Sequence, residues 1–79
     1  MARKIFEIKS LIYGKFDSET AFAQHLGWTR QRLNKITIGK KEPCVSEVYA
    51  IAEGLEEDVC KVLHIFLQFW SNDERRNTA

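Results

Sequence analysis

The chain has 79 residues, 44% of them hydrophobic and 29% charged, with a formal net charge of +1. This is material for one small domain and too little to hollow out a large pocket, so function is expected on the surface and deep-cavity enzymology is disfavoured. Two cysteines, Cys44 and Cys60, are too few for a disulfide framework, and the greasiest run, 62–70, contains His64 and Gln68 and falls short of the ~18 apolar residues a membrane span needs.

Arg3 and Lys4 precede an apolar run that Glu7 and Lys9 interrupt, so a signal peptide is not expected and a reducing, cytoplasmic setting is. Ile5, Ile8 and Ile12 recur at helical spacing, which predicts an amphipathic first helix from 4 to about 13, ended by Gly14. Asp17 and Ser18 can cap a second helix reaching Leu26, and Gly27 supplies a tight turn. Thr29 caps a third, from Arg30 to about Ile38, which Gly39 ends. After Lys40 and Lys41, Pro43 marks the start of a fourth, on which Val45, Val48, Tyr49, Ala52 and Leu55 share a face. Asp58 can cap a fifth, with Val59, Leu63, Phe66 and Trp70 in one stripe and Lys61, His64 and Gln68 opposite. The expectation is an all-α, compact five-helix domain over 1–70 and a flexible polar tail over 71–79.

Charge is unevenly distributed. Between Thr20 and Lys41 there is no acid, whereas Arg30, Arg32, Lys35, Lys40 and Lys41 are all basic. One side of the domain is therefore expected to be electropositive. Within this stretch Phe22, Leu26, Trp28, Leu33 and Ile36 are apolar anchors, Ala23 is small enough for a close helix crossing, and Gly27 follows four residues later in the turn. Two short helices crossing steeply need these features, and the spacing specifies a helix-turn-helix.

This stretch, with the turn from Gly39 to Pro43 and the following V-S-E-V-Y-A-I-A segment, resembles the Cro and repressor type of DNA-binding domain, the Xre family, over roughly residues 8–66. The resemblance implies a lambda-repressor-like fold with the helix-turn-helix at helices 2 and 3, in a bacterial or phage setting. It also implies base contacts from Arg30, Gln31 and Lys35. The helical wheel adds Asn34, because these four spread over an acid-free arc opposite Leu33 and Ile36. Arg and Lys can donate to guanine O6 and N7, and Gln or Asn can bond adenine N6 and N7. A solvated helix face is the plain alternative.

Thr29, Lys40 and Lys41 are expected to bind DNA phosphate, and Arg32 on the flank suits either role. Four residues depart from the family pattern. Glu19 stands where a phosphate-bonding glutamine is common, so its carboxylate is expected to repel DNA there. Ile38 replaces a frequent asparagine, Cys44 a capping Ser or Thr, and Glu56 a glycine.

Cys60 and His64 lie one helical turn apart, but no second pair completes a metal site, and no catalytic or phosphate-loop motif occurs. No metal, cofactor, small-molecule substrate or membrane association is expected, and no enzyme activity. The fifth helix carries apolar residues beyond its inner stripe, which assigns Ile65, Phe69 and Trp70 to a homodimer contact unless the first helix covers them within one protomer. The resulting expectation is a sequence-specific transcriptional regulator, a Cro-like repressor reading an inverted-repeat operator in double-stranded DNA through the major groove. The rival reading is a protein-interaction adaptor or antitoxin-like module that binds through the fifth helix.

Overall fold

A computed structural model describes residues 5–71, and within them the backbone forms five α-helices with no strand among the described residues. They are α1 (Phe6–Lys15), α2 (Glu19–Leu26), α3 (Arg30–Thr37), α4 (Val45–Leu55) and α5 (Val59–Ser71). Arg3, Lys4 and the expected tail beyond Ser71 lie outside the described residues. No described helix is long and apolar enough to cross a membrane.

Most helix ends follow from local chemistry. The Ser18 hydroxyl accepts the Ala21 N–H at 3.1 Å and starts α2, and the Thr29 hydroxyl accepts the Arg32 N–H at 3.1 Å and starts α3. Asp58 accepts the Cys60 N–H at 2.7 Å at the start of α5. Gly27 closes α2 at φ 77°, a conformation without steric cost for glycine. Gly14 does not end α1 as expected. The helix runs through it to Lys15 and stops where Phe16 turns extended, placing the Phe16 ring 4.8 Å from that of Phe22. Burial of an aromatic ring outweighs the helix-breaking tendency of one glycine.

The core is a single cluster built from Ile5, Ile8 and Ile12, from Phe22 and Ala23, from Leu33 and Ile36, and from α4 and α5. Its α4 members are Val48, Ile51, Ala52 and Leu55, whereas Val45 and Tyr49 are 70% and 59% exposed. The inward face thus keeps Val48, Ala52 and Leu55 of the expected one, takes Ile51 in place of Val45 and Tyr49, and includes Glu47. In α5 the same correction applies: Val62, Ile65 and Phe66 are buried, Val59, Phe69 and Trp70 are partly buried against the core, and Leu63 and Leu67 face out.

The apolar arc of α5 spans about 200° on a helical wheel, more than one docked helix can cover. Packing against α4 and α1 selects the Ile65 side of that arc. Ile65 is only 6% exposed, so its apolar surface is consumed inside the protomer and the surplus falls on Leu63 and Leu67.

Two close approaches fix the angle between elements. A Cβ on Gly54 would stand 2.8 Å from Phe22 Cε1 and 3.0 Å from Leu26 Cδ2, so α2 and α4 can pack this closely only with hydrogen at that position. The Ile5 N–H donates to the Thr37 carbonyl at 2.8 Å, tying the start of the described chain to the last turn of α3.

Candidate nucleic-acid interface

α2 and α3 are joined by three residues, 27–29, and the Trp28 N–H donates back to the Ala23 carbonyl at 2.9 Å. Ala23 is 1% exposed, so no larger side chain fits at the helix crossing. On α3, Leu33, Ile36 and Thr37 are completely buried. This anchors the helix by one face and sets the direction of the other.

The outward face carries Arg30, Gln31, Arg32 and Lys35, all exposed, with Asn34 half-buried at its edge. Arg30, Gln31 and Lys35 make no side-chain hydrogen bond or ion pair to any described residue. Their positions at 0°, 100° and 140° on the helical wheel form one continuous arc of donors. Thr29 is exposed at the start of this helix. Its oxygen accepts the Arg32 N–H, which leaves the hydroxyl proton to be donated outward.

Past α3, Gly39 takes φ 78°. The chain then folds back so that the Lys40 and Lys41 N–H groups both donate to the Lys35 carbonyl, at 2.9 and 3.0 Å. This caps α3 and sets two lysines beside its C-terminal end. Lys40 is exposed and bonded to no described side chain.

Two carboxylates from outside the basic stretch reach into this surface, and sequence reading missed both roles. Glu47, 3% exposed, takes the Cys44 N–H on Oε1 at 3.0 Å. Its Oε2 takes Arg32 Nε at 3.2 Å and Lys41 Nζ at 3.0 Å. The Arg32 guanidinium also lies 4.2 Å from the centre of the Trp28 ring, a cation–π distance. Burial alone would raise the Glu47 carboxyl; the Cys44 N–H, Lys41 and Arg32 outweigh it and hold the group down at about 2. The signal for Glu47 was available: a glutamate three residues after the residue preceding a helix is the reaching half of a capping box.

Glu19 is the second. It is 7% exposed and faces inward, which corrects its expected place against DNA phosphate. Its carboxylate pairs with Lys9 Nζ, accepts Asn34 Nδ2 at 3.3 Å, and lies 3.2 Å from the Thr37 hydroxyl. Lys9, a cation beside the Ile5, Ile8 and Ile12 stripe of α1, was the visible hint that a buried acid would be needed. The network draws Asn34 toward the interior. One Nδ2 donor is taken by Glu19, which holds Asn34 half-buried at the edge of the arc.

Of the eight residues expected to touch DNA, five lie exposed without a described ion-pair partner: Thr29, Arg30, Gln31, Lys35 and Lys40. Arg32, Lys41 and Asn34 are tied to carboxylates. Comparison with family models, curated proteins and solved structures yields no match, so the site rests on its own residues.

Proposed function

We propose that this protein is a sequence-specific DNA-binding regulator of the Cro and repressor type, with α2 and α3 as its helix-turn-helix and α3 as the helix that enters the major groove. The observation that carries this reading is the outward face of α3, where Arg30, Gln31 and Lys35 stand without a described partner and without an acid. An exposed arc of Arg, Gln and Lys on a helix anchored along its opposite side has the donors needed to read guanine and adenine edges. Thr29 and Lys40, at the two ends of α3, bond the flanking phosphates.

A homodimer of such units places two α3 helices about 34 Å apart and selects an inverted repeat. Its contact would use Leu63 and Leu67, which are 41% and 54% exposed one turn apart on α5. The same pair supports the second reading, a protein-interaction adaptor that binds a partner through α5. Selection of bound fragments from a random DNA pool tests the first reading. A recovered palindromic site supports it; no retained DNA at about 50 mM salt rejects it in favour of the adaptor. On a recovered site, Arg30→Ala and Gln31→Ala should each cost about 1 to 3 kcal/mol and relax preference at one base pair. Equal losses on operator and random duplexes would remove these residues from base reading.

A further inference from the structure

Of the two buried carboxylates that reach the surface beside α3, Glu47 is the one that holds two of its cations. Its Oε2 accepts Arg32 Nε at 3.2 Å and Lys41 Nζ at 3.0 Å, while Oε1 is taken by the Cys44 N–H. Arg32 is held a second time by the Trp28 ring. The adjacent Lys40 has no such partner among the described residues, although it shares the same folded-back turn.

We propose that Glu47 is a positioning residue that withholds Arg32 and Lys41 from the nucleic-acid backbone and leaves Lys40 as the turn's phosphate contact. The inference rests on the DNA-binding reading above. Its physical basis is the asymmetry of burial. A lysine that leaves Glu47 for a phosphate strips a partner from a carboxylate that water barely reaches, so exchanging one anion for the other carries a penalty that Lys40 does not meet. The trio is a closed ion-pair cluster in which both cations are turned to Glu47 and not presented to a polyanion. It also braces the turn, because Arg32 lies on α3, Lys41 in the turn and Glu47 in the first turn of α4. Lys40 is thereby presented from a fixed backbone.

Salt dependence reads this directly, since each neutralised phosphate contributes about 0.9 to the slope of log affinity against log salt. A duplex of about 20 base pairs carrying the selected site, or random sequence if selection converges on none, is titrated by fluorescence anisotropy from about 50 to 200 mM salt. The proteins compared are the full chain and its Lys40→Gln, Lys41→Gln, Arg32→Gln, Glu47→Gln and Glu47→Gln/Lys41→Gln variants. Lys40→Gln should lower the slope by about 0.9 per protomer, and Lys41→Gln and Arg32→Gln by less than half of that. Glu47→Gln should steepen it by about 0.9 or more, and adding Lys41→Gln should take that gain away.

The proposal is overturned if Lys41→Gln or Arg32→Gln matches the Lys40→Gln loss, or if a folded Glu47→Gln protein keeps the parental slope. Should Glu47→Gln not fold, the slopes of the three exposed single variants are sufficient to decide between the outcomes. If the parent chain retains no duplex at about 50 mM salt, the functional reading itself fails and takes this inference with it. A bound parent with equal slopes for Lys40→Gln and Lys41→Gln overturns the inference alone.

Discussion

Glu47 gives the most quantitative expectation for stability. Its carboxyl is held at about 2 in the folded chain against an ordinary value of 4.5. The unfolded chain therefore binds a proton at this position while the folded chain does not, and acid favours unfolding. The difference of about 2.5 pH units corresponds to about 3 kcal/mol, fully present above about pH 5.5. By the same linkage about 2 kcal/mol remains at about pH 3.5 and almost none at about pH 1. Lys41 and Arg32 are about half exposed, which lowers the whole figure to roughly 2 to 3 kcal/mol through solvent screening. A domain of this size has only about 4 to 12 kcal/mol of net stability, so the effect is readily measurable.

The assay is urea unfolding followed by helical circular dichroism at pH 7, 4.5, 3.5 and 2.5, for the parent chain and Glu47→Gln. Other carboxyls titrate in both proteins, so the informative quantity is the difference between them. That difference should be largest at pH 7 and should shrink by roughly a third or more at pH 3.5 and further at pH 2.5. A difference that stays constant from pH 7 to pH 2.5 would refute the reasoning, because the ionised form of Glu47 would then contribute nothing specific.

Further expectations concern packing, backbone and assembly. Gly54→Ala should destabilise by about 1 to 2 kcal/mol despite alanine's better helix propensity, because the new methyl meets the buried Phe22 ring; unchanged or raised stability in urea would show that α2 and α4 separate easily. Glu56 closes α4 at φ 57°, so Glu56→Gly should stabilise by roughly 0.5 to 1 kcal/mol and Glu56→Ala should not. The exposed pair between Lys15 and Glu56 adds little to either comparison. Glu19→Ala should cost about 3 kcal/mol by stranding Lys9 and freeing Asn34 and Thr37, and a thermal midpoint within a degree of the parent's would contradict the buried network. Leu63→Glu with Leu67→Glu should abolish any dimer seen in sedimentation while leaving the helical signal intact; a dimer that persists would place the contact elsewhere.

Legibility in the sequence followed the range of the forces involved. Caps and turns act over three or four residues, so Ser18, Gly27, Thr29 and Asp58 marked helix ends that the structure has where expected. The inward face of α3 was also readable, because Leu33 and Ile36 are its only large apolar residues and leave no competing stripe. For α4 and α5, apolar residues occupy so much of the helix that several stripes were equally plausible. Docking against neighbouring helices selected Ile51 over Tyr49 and Ile65 over Leu63.

The acid-free run from Thr20 to Lys41 is a property of the chain's order alone, and it determined where the cations and the outward-facing donors would be. Which of those groups stay available was decided only when α2 brought Glu19 beside the Asn34 amide, and α4 brought Glu47 beside the cations Arg32 and Lys41. Coulomb attraction depends on distance through space. Two carboxylates from just outside the acid-free run therefore reshaped a surface that linear reading had assigned to positive charge alone.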